Sequence, residues 1–235
     1  MKKILTVLAV ALLTGGSLTP ARADYTNNTV YNVNQAIPDG DVNGLGVTAN
    51  ITGLSGNIAS VTLTVNILGG NNADLYAFLA GPNGGFSILF NRVGLSAANH
   101  FGYEDSGFDI TLSDTAANVH SYQSAAYTLN GSGQLTGLWS PDGRNIDPLA
   151  LPGAFDTAPV NATLNSFVGM DPNGEWTFYF ADLSGGGIST VQSLGLTIVT
   201  VPEPSALALT VAGGLGLWLV RSCCQRRQKS TPCRI

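Results

Sequence analysis

Val61, Leu63, Val65 and Ile67 are separated one by one by Thr62, Thr64 and Asn66. A period of two puts the aliphatic side chains on one face of an extended strand and the polar ones on the other. The same beat returns along the chain. Val47, Ala49 and Ile51 alternate more weakly, Phe108, Ile110 and Leu112 clearly, and Trp176, Phe178 and Phe180 face away from Thr177, Tyr179 and Ala181. Leu194, Leu196 and Ile198 close the series. Two short apolar runs, 75–79 and 86–90, flank Gly81-Pro82-Asn83-Gly84, where Pro sets φ and Asn-Gly accepts positive φ. No stretch between Asp24 and Thr200 sustains a helical period. Short strands broken by Gly, Asn, Asp and Pro predict an all-β chain, an antiparallel β-sandwich.

Both ends carry segments of another kind. Met1-Lys2-Lys3 is a basic start, residues 4–13 are apolar, and Ala21-Arg22-Ala23 fits the small-x-small rule for signal peptidase, so 1–23 is read as a signal peptide. At the other end Pro202-Glu203-Pro204 precedes a mildly apolar run, 206–220, and then Arg221, Arg226 and Arg227. As a helix that run would span roughly 22 Å at ~1.5 Å per residue, short of a ~30 Å hydrocarbon core. The basic cluster behind it favours the cytoplasmic side. Motif, marginal membrane segment and basic stop, over 201–227, closely resemble the PEP-CTERM sorting signal of exopolysaccharide-producing Gram-negative bacteria. The resemblance implies recognition of Pro202, Glu203 and Pro204 by an exosortase and removal of the segment behind them. It departs from the pattern in a longer tail, 228–235, expected in the cytoplasm.

The 177 residues between, 24–200, suit one domain with a real core. They contain no cysteine; Cys223, Cys224 and Cys233 all follow the apolar run, so no disulfide staples the domain. Fourteen carboxylates stand against Arg92 and Arg144 alone, a net charge of −12. Such a surface repels phosphate backbones and argues against nucleic acid as a partner. It suits divalent cations or simple solubility outside the cytoplasm.

Three pieces in order carry a second resemblance. Ala73-Asp74-Leu75 leads into Leu79 and the Gly-Pro-Asn-Gly turn. Gly174-Glu175-Trp176 leads to Asp182, six residues after the Trp. A Gly-rich turn, Gly185-Gly186-Gly187, then precedes the closing strand. Together, over roughly 35–199, they look like the P domain of subtilisin-like proprotein convertases, a β-jelly-roll module. That strand usually carries a Trp where Leu194 or Gly195 stands here. In the convertases the P domain follows a catalytic domain with an Asp-His-Ser triad, and no such domain is expected from these residues. His100 and His120 lie in polar sequence and read as exposed loop residues. No serine occupies a nucleophile turn, so no catalytic residue is expected.

Asp74 and Asp182 border apolar strands, where a lone carboxylate is costly unless bonded. They are expected to cap turn N–H groups or, as in some P-domain-like jelly rolls, to ligate Ca²⁺. Asp39-Gly40-Asp41 is only a fragment of a calcium loop. The least regular stretch, 121–159, holds Tyr122, Tyr127, Trp139 and Phe155, which could stack on sugar rings or form a minor core. Asp142, Asp147 and Asp156 there are candidates by residue type for a glycosidase pair. Two functions compete: a non-catalytic sandwich at the outer surface or in the exopolysaccharide matrix, and a carbohydrate-active hydrolase or glycan-binding module using the 121–159 lobe. Ice-binding proteins can share this kind of C-terminal anchor, but Thr-x-Thr patterning is confined here to Thr62 and Thr64, which ranks ice binding third.

Overall fold

The computed structural model describes residues 25–201. The signal peptide with Ala21 and Ala23, the Pro202-Glu203-Pro204 motif and the 206–220 run lie outside the described residues. Nine strands form two sheets. They are β1 (Tyr25–Ala36), β2 (Asp41–Ile51), β3 (Asn57–Leu68), β4 (Leu75–Ala80), β5 (Phe86–Asn91), β6 (Gly107–Leu112), β7 (Leu135–Trp139), β8 (Gly174–Asp182) and β9 (Thr190–Val201). One sheet runs β1-β9-β3-β6-β7 and the other β2-β8-β4-β5. The only helical elements among the described residues are short 3₁₀ turns. No described helix is long and apolar enough to cross a membrane.

The alternation read from the sequence becomes the sandwich core. Leu63, Val65 and Ile67 of β3, Leu194, Leu196 and Ile198 of β9, and Phe108 and Leu112 of β6 line one inner face. Leu75, Ala77 and Leu79 of β4 oppose them with Trp176, Phe178 and Phe180 of β8. Trp176 is fully buried; its Nε1–H donates to the Pro172 carbonyl at 2.9 Å and its ring lies 4.9 Å from that of Phe167. Phe90 and Phe108 stack across the two sheets at 4.2 Å. Leu194 is fully buried in this core.

Three features differ from the sequence reading. The pairing is not uniformly antiparallel: six ladders are, but β6 and β7 run parallel. A parallel neighbour needs a long crossover, and the excursion between Leu112 and Leu135 supplies it. The 121–159 stretch is therefore not wholly irregular, since β7 lies within it. The first strand, β1, has no aliphatic alternation to reveal it: Thr26, Asn28, Val30 and Asn32 face outward, and Asn27, Thr29, Tyr31 and Val33 face in. Gly107 opens β6 at φ 96°, and a Cβ there would collide with the Ile67 carbonyl beside it, so the β3–β6 contact requires glycine.

Candidate functional site

Asp182 ends β8 opposite Asp41 and Leu75 on the flanking strands. It is 1% exposed. Its Oδ1 accepts the Ser184 N–H at 3.3 Å and its Oδ2 the Ser189 hydroxyl at 3.4 Å. Both bonds are long, so burial dominates and pushes the carboxyl up to about 6, with the charges of Asp74 and Asp39 adding to the rise. Asp74 is half-buried and accepts from Asn71 Nδ2 at 3.0 Å, while its backbone carbonyl accepts Leu183 N–H at 2.8 Å. Asp39 accepts the Gly186 N–H at 3.2 Å. The expected turn-capping thus belongs to Asp182 and, unforeseen, Asp39. Among the described residues no group of three His, Cys, Asp or Glu side chains is arranged to hold a metal.

The two histidines part company. His100 is exposed, as expected. His120 is not: it is 5% exposed, which corrects its reading as a loop histidine at the surface. Its Nδ1 lies 2.7 Å from Asp142 Oδ2, its Nε2 lies 3.1 Å from the Leu95 carbonyl, and its ring stacks on Phe155 at 5.9 Å. Asp142 is fully buried and also accepts the Asn91 N–H at 3.1 Å and Arg144 Nη1 at 3.1 Å. Arg144 reaches on to Asn118 Oδ1 at 3.2 Å and to the Phe155 carbonyl at 3.1 Å. A histidine with a carboxylate on Nδ1 is half of a hydrolytic triad. Here the position a nucleophile needs, beside Nε2, is taken by a carbonyl oxygen. Ser121 is exposed.

The lobe aromatics proposed for sugar stacking are mostly interior. Tyr122, Trp139 and Phe155 are at most 4% exposed, and only Tyr127, at 38%, reaches the surface. Asp142 is consumed by the network above. Asp147 accepts the Leu149 N–H at 2.9 Å and Asp156 the Ala97 N–H at 3.1 Å, so both act as loop caps.

A different set of rings is gathered on the outer face of the four-stranded sheet. Tyr76 and Phe78 of β4, Tyr179 of β8 and Phe86 of β5 are each partly exposed. Phe78 stacks on Tyr179 at 4.8 Å and meets Phe86 at 5.2 Å; Tyr76 meets Phe78 at 6.1 Å and Tyr179 at 6.4 Å. The strip crosses three adjacent strands, about 10 Å at ~4.8 Å per strand. Carboxylates sit beside it. Burial first, then Tyr179 and Asp147, hold the Tyr76 hydroxyl above the ordinary phenol range; burial and Asp41 do the same to Tyr179. Both hydroxyls therefore stay protonated, and Tyr179 donates to the Val42 carbonyl. Sequence reasoning found Tyr179 only as the polar face of a strand. The strip was missed because its members come from three segments, and the adjacency of β4, β5 and β8 was needed to join them.

No protein-family model matches the chain, and no curated protein matches it. Among solved structures, the serine protease of Aeromonas sobria is similar in two forms. In complex with its chaperone it aligns at 15% identity and a TM-score of 0.44, covering 83% of this chain and 30% of that one. On its own it aligns at 16% identity and a TM-score of 0.43, covering 82% and 29%. The chain thus spans less than a third of the length of the structures it matches.

Proposed function

We propose that this chain is an exported, non-catalytic β-sandwich of P-domain-like, jelly-roll type that associates with extracellular polysaccharide. It is delivered to the outer surface or matrix of a Gram-negative envelope by signal peptidase and by an exosortase acting at Pro202-Glu203-Pro204. The observation that carries the binding part is the strip of Tyr76, Phe78, Phe86 and Tyr179 on the outer sheet face. Partly exposed rings beside protonated hydroxyls and carboxylates offer apolar contact and hydrogen bonds together, the two things a sugar ring takes. The net charge of −12 over 24–200 turns this surface away from acidic polymers and toward neutral ones. The engaged Nε2 of His120 supports the non-catalytic part, because it leaves the one buried His–Asp pair without a nucleophile.

The test is affinity electrophoresis of the purified chain through gels containing neutral or acidic polysaccharides. Neutral polymer should retard the wild-type chain, and the double substitution Tyr76→Ser with Phe86→Ser should weaken binding about tenfold, the loss of ~1.4 kcal/mol. Circular dichroism would confirm that the variant keeps its strands. Unaltered retardation of the folded variant, or retardation by acidic polymers alone, would refute the assignment.

A further inference from the structure

The charges of this domain are sorted by the fold. Between Tyr25 and Pro38, Val42 and Ala73, and Leu183 and Val201 there is no charged residue. Those stretches contain β1, nearly all of β2, β3 and β9, so one flank of the sandwich is almost uncharged while the carboxylates crowd the other. At the margin of that neutral flank lies β1, the terminal strand of the five-stranded sheet, bonded on one side to β9.

The other sheet margins are covered or interrupted. On β5, Ile88 N–H donates to Ala162 O, while Asp142 N–H and Gly143 N–H donate to Leu89 O and Ile88 O. On β7, Thr136 N–H donates to Thr128 O, and Leu129 bridges Leu135. The margin strand β2 begins with Asp41 and is bulged between Asp41 and Leu45. Among the described residues the outer edge of β1 has no such cover. It also carries none of the charges, prolines or early bulges that usually protect an edge; its one irregularity begins at Asn32.

We propose that β1 pairs antiparallel with β1 of a second copy of this chain, about a two-fold axis at Val30. The sequence is self-complementary in that register. Val30, 62% exposed, meets Val30 of the other copy, and Asn28 and Asn32, equally spaced around it, each meet the other. Cross-strand partners on one face lie ~4.5–5.5 Å apart, close enough for an aliphatic contact flanked by two amide pairs. The inward Thr29 and Tyr31 likewise exchange partners. An unrelated extended peptide would gain no such symmetry, and this is what favours a second copy. Charge favours it as well. Two domains at −12 each repel everywhere except along the neutral flank. Along the sequence the carboxylates flanking β1 are Asp24 and Asp39, six and nine residues from Val30, and across the sheet the first is Asp109 on β6, three strand spacings or ~14 Å away, beyond a physiological Debye length of ~8 Å, so none faces the centre of the contact.

Light scattering on the purified full chain in mild detergent, with protein mass separated from detergent mass, over a concentration series tests this. The wild-type chain should move from monomer to dimer. Val30→Lys should remain monomeric, because it sets two ammonium groups face to face on the axis. The double substitution Asn28→Lys with Asn32→Glu should restore or tighten the dimer, since only this register places opposite charges across both pairs. All three positions are exposed, so the strands should survive, as circular dichroism would show. A wild-type monomer at every concentration overturns the proposal. So does a dimer that persists in Val30→Lys, which would place the contact in the apolar tail or on another surface, and so does a double variant that no longer associates.

Discussion

Asp182→Asn should stabilise the 24–201 domain, and only above a particular pH. The carboxyl is 1% exposed, held by two long hydrogen bonds, and pushed from 3.8 to about 6 chiefly by burial. Going up in pH, the unfolded chain loses this proton near 3.8 while the folded one keeps it until about 6. Over that window the folded state binds more protons, so stability falls as pH rises. The favourable contribution is complete below about pH 3.8, is lost as pH passes through about 6, and is absent above it. At ~1.4 kcal/mol per tenfold, the displacement sets a ceiling of about 3 kcal/mol, and the polar turn around the carboxyl lowers the expectation to ~1–2 kcal/mol. Asn keeps the shape and cannot ionise. Urea unfolding followed by the fluorescence of the buried Trp139 and Trp176 should therefore give curves for variant and wild type that converge near pH 4 and separate by pH 7.5, with the variant more stable. A variant that is less stable across the whole range would show that the carboxylate is held by bonds stronger than those seen and would refute the burial argument. The same experiment judges calcium. If Asp74 and Asp182 ligate Ca²⁺, the wild-type curve shifts upward with added calcium by RT ln(1 + [L]/Kd) and the Asn variant loses that shift.

Two further outcomes are expected. Ser87 is fully buried on β5 opposite Leu79, with its hydroxyl unpartnered, so Ser87→Ala should raise stability by about 1 kcal/mol in the same unfolding assay; a loss of 1 kcal/mol or more would reveal a hidden partner for the hydroxyl. Glu203→Gln, within the proline pair, should leave the chain unprocessed in the inner membrane of a host with an intact exosortase, and normal release seen by membrane fractionation would remove the sorting part of the proposed function.

Most of the strands could be read from the chain because burial on one face writes a period of two into it. Leu63, Val65 and Ile67, or Trp176, Phe178 and Phe180, announce themselves. What lies at a sheet margin does not. Strand β1 faces the core with Asn27, Thr29, Tyr31 and Val33, of which Tyr31 and Val33 are the hydrophobic ones packed on it, so its pattern is faint. The candidate site was less legible than the fold, for the same reason that it is a surface. Along the sequence Thr-x-Thr patterning is confined to Thr62 and Thr64, yet pairing sets Thr62 beside Thr197 and Thr64 beside Thr111, and Thr197 beside Asn28. Adjacency between strands is a property of topology, and no local window contains it. Asp182 is the intermediate case: its place after an apolar strand marked it as costly, but its partners lie in the next turn and could not be chosen in advance.

His120 shows why residue type misled in the other direction. The excursion from Ser113 to Ala162 holds one short strand and a few 3₁₀ turns, and with no cysteine between 24 and 200 nothing covalent closes it. An excursion of that length must be tied to the sheets by other means, because ordering each residue costs on the order of 1–2 kcal/mol of backbone entropy. The tie is made of polar groups. Asp142 holds the end of β5 through the Asn91 N–H, His120 holds the following loop through the Leu95 carbonyl, and Arg144 joins Asn118 to the Phe155 carbonyl. Each of these bonds crosses between segments far apart in sequence, as a disulfide would. Removing the Asp142 carboxylate takes the shared partner from both Arg144 and His120, at a cost of ~3–5 kcal/mol for an ion pair of this kind. Both ring nitrogens of His120 face an oxygen of another segment, Nδ1 the Asp142 carboxylate at 2.7 Å and Nε2 the Leu95 carbonyl at 3.1 Å, so the ring sits where the lobe is fastened to the loop after β5.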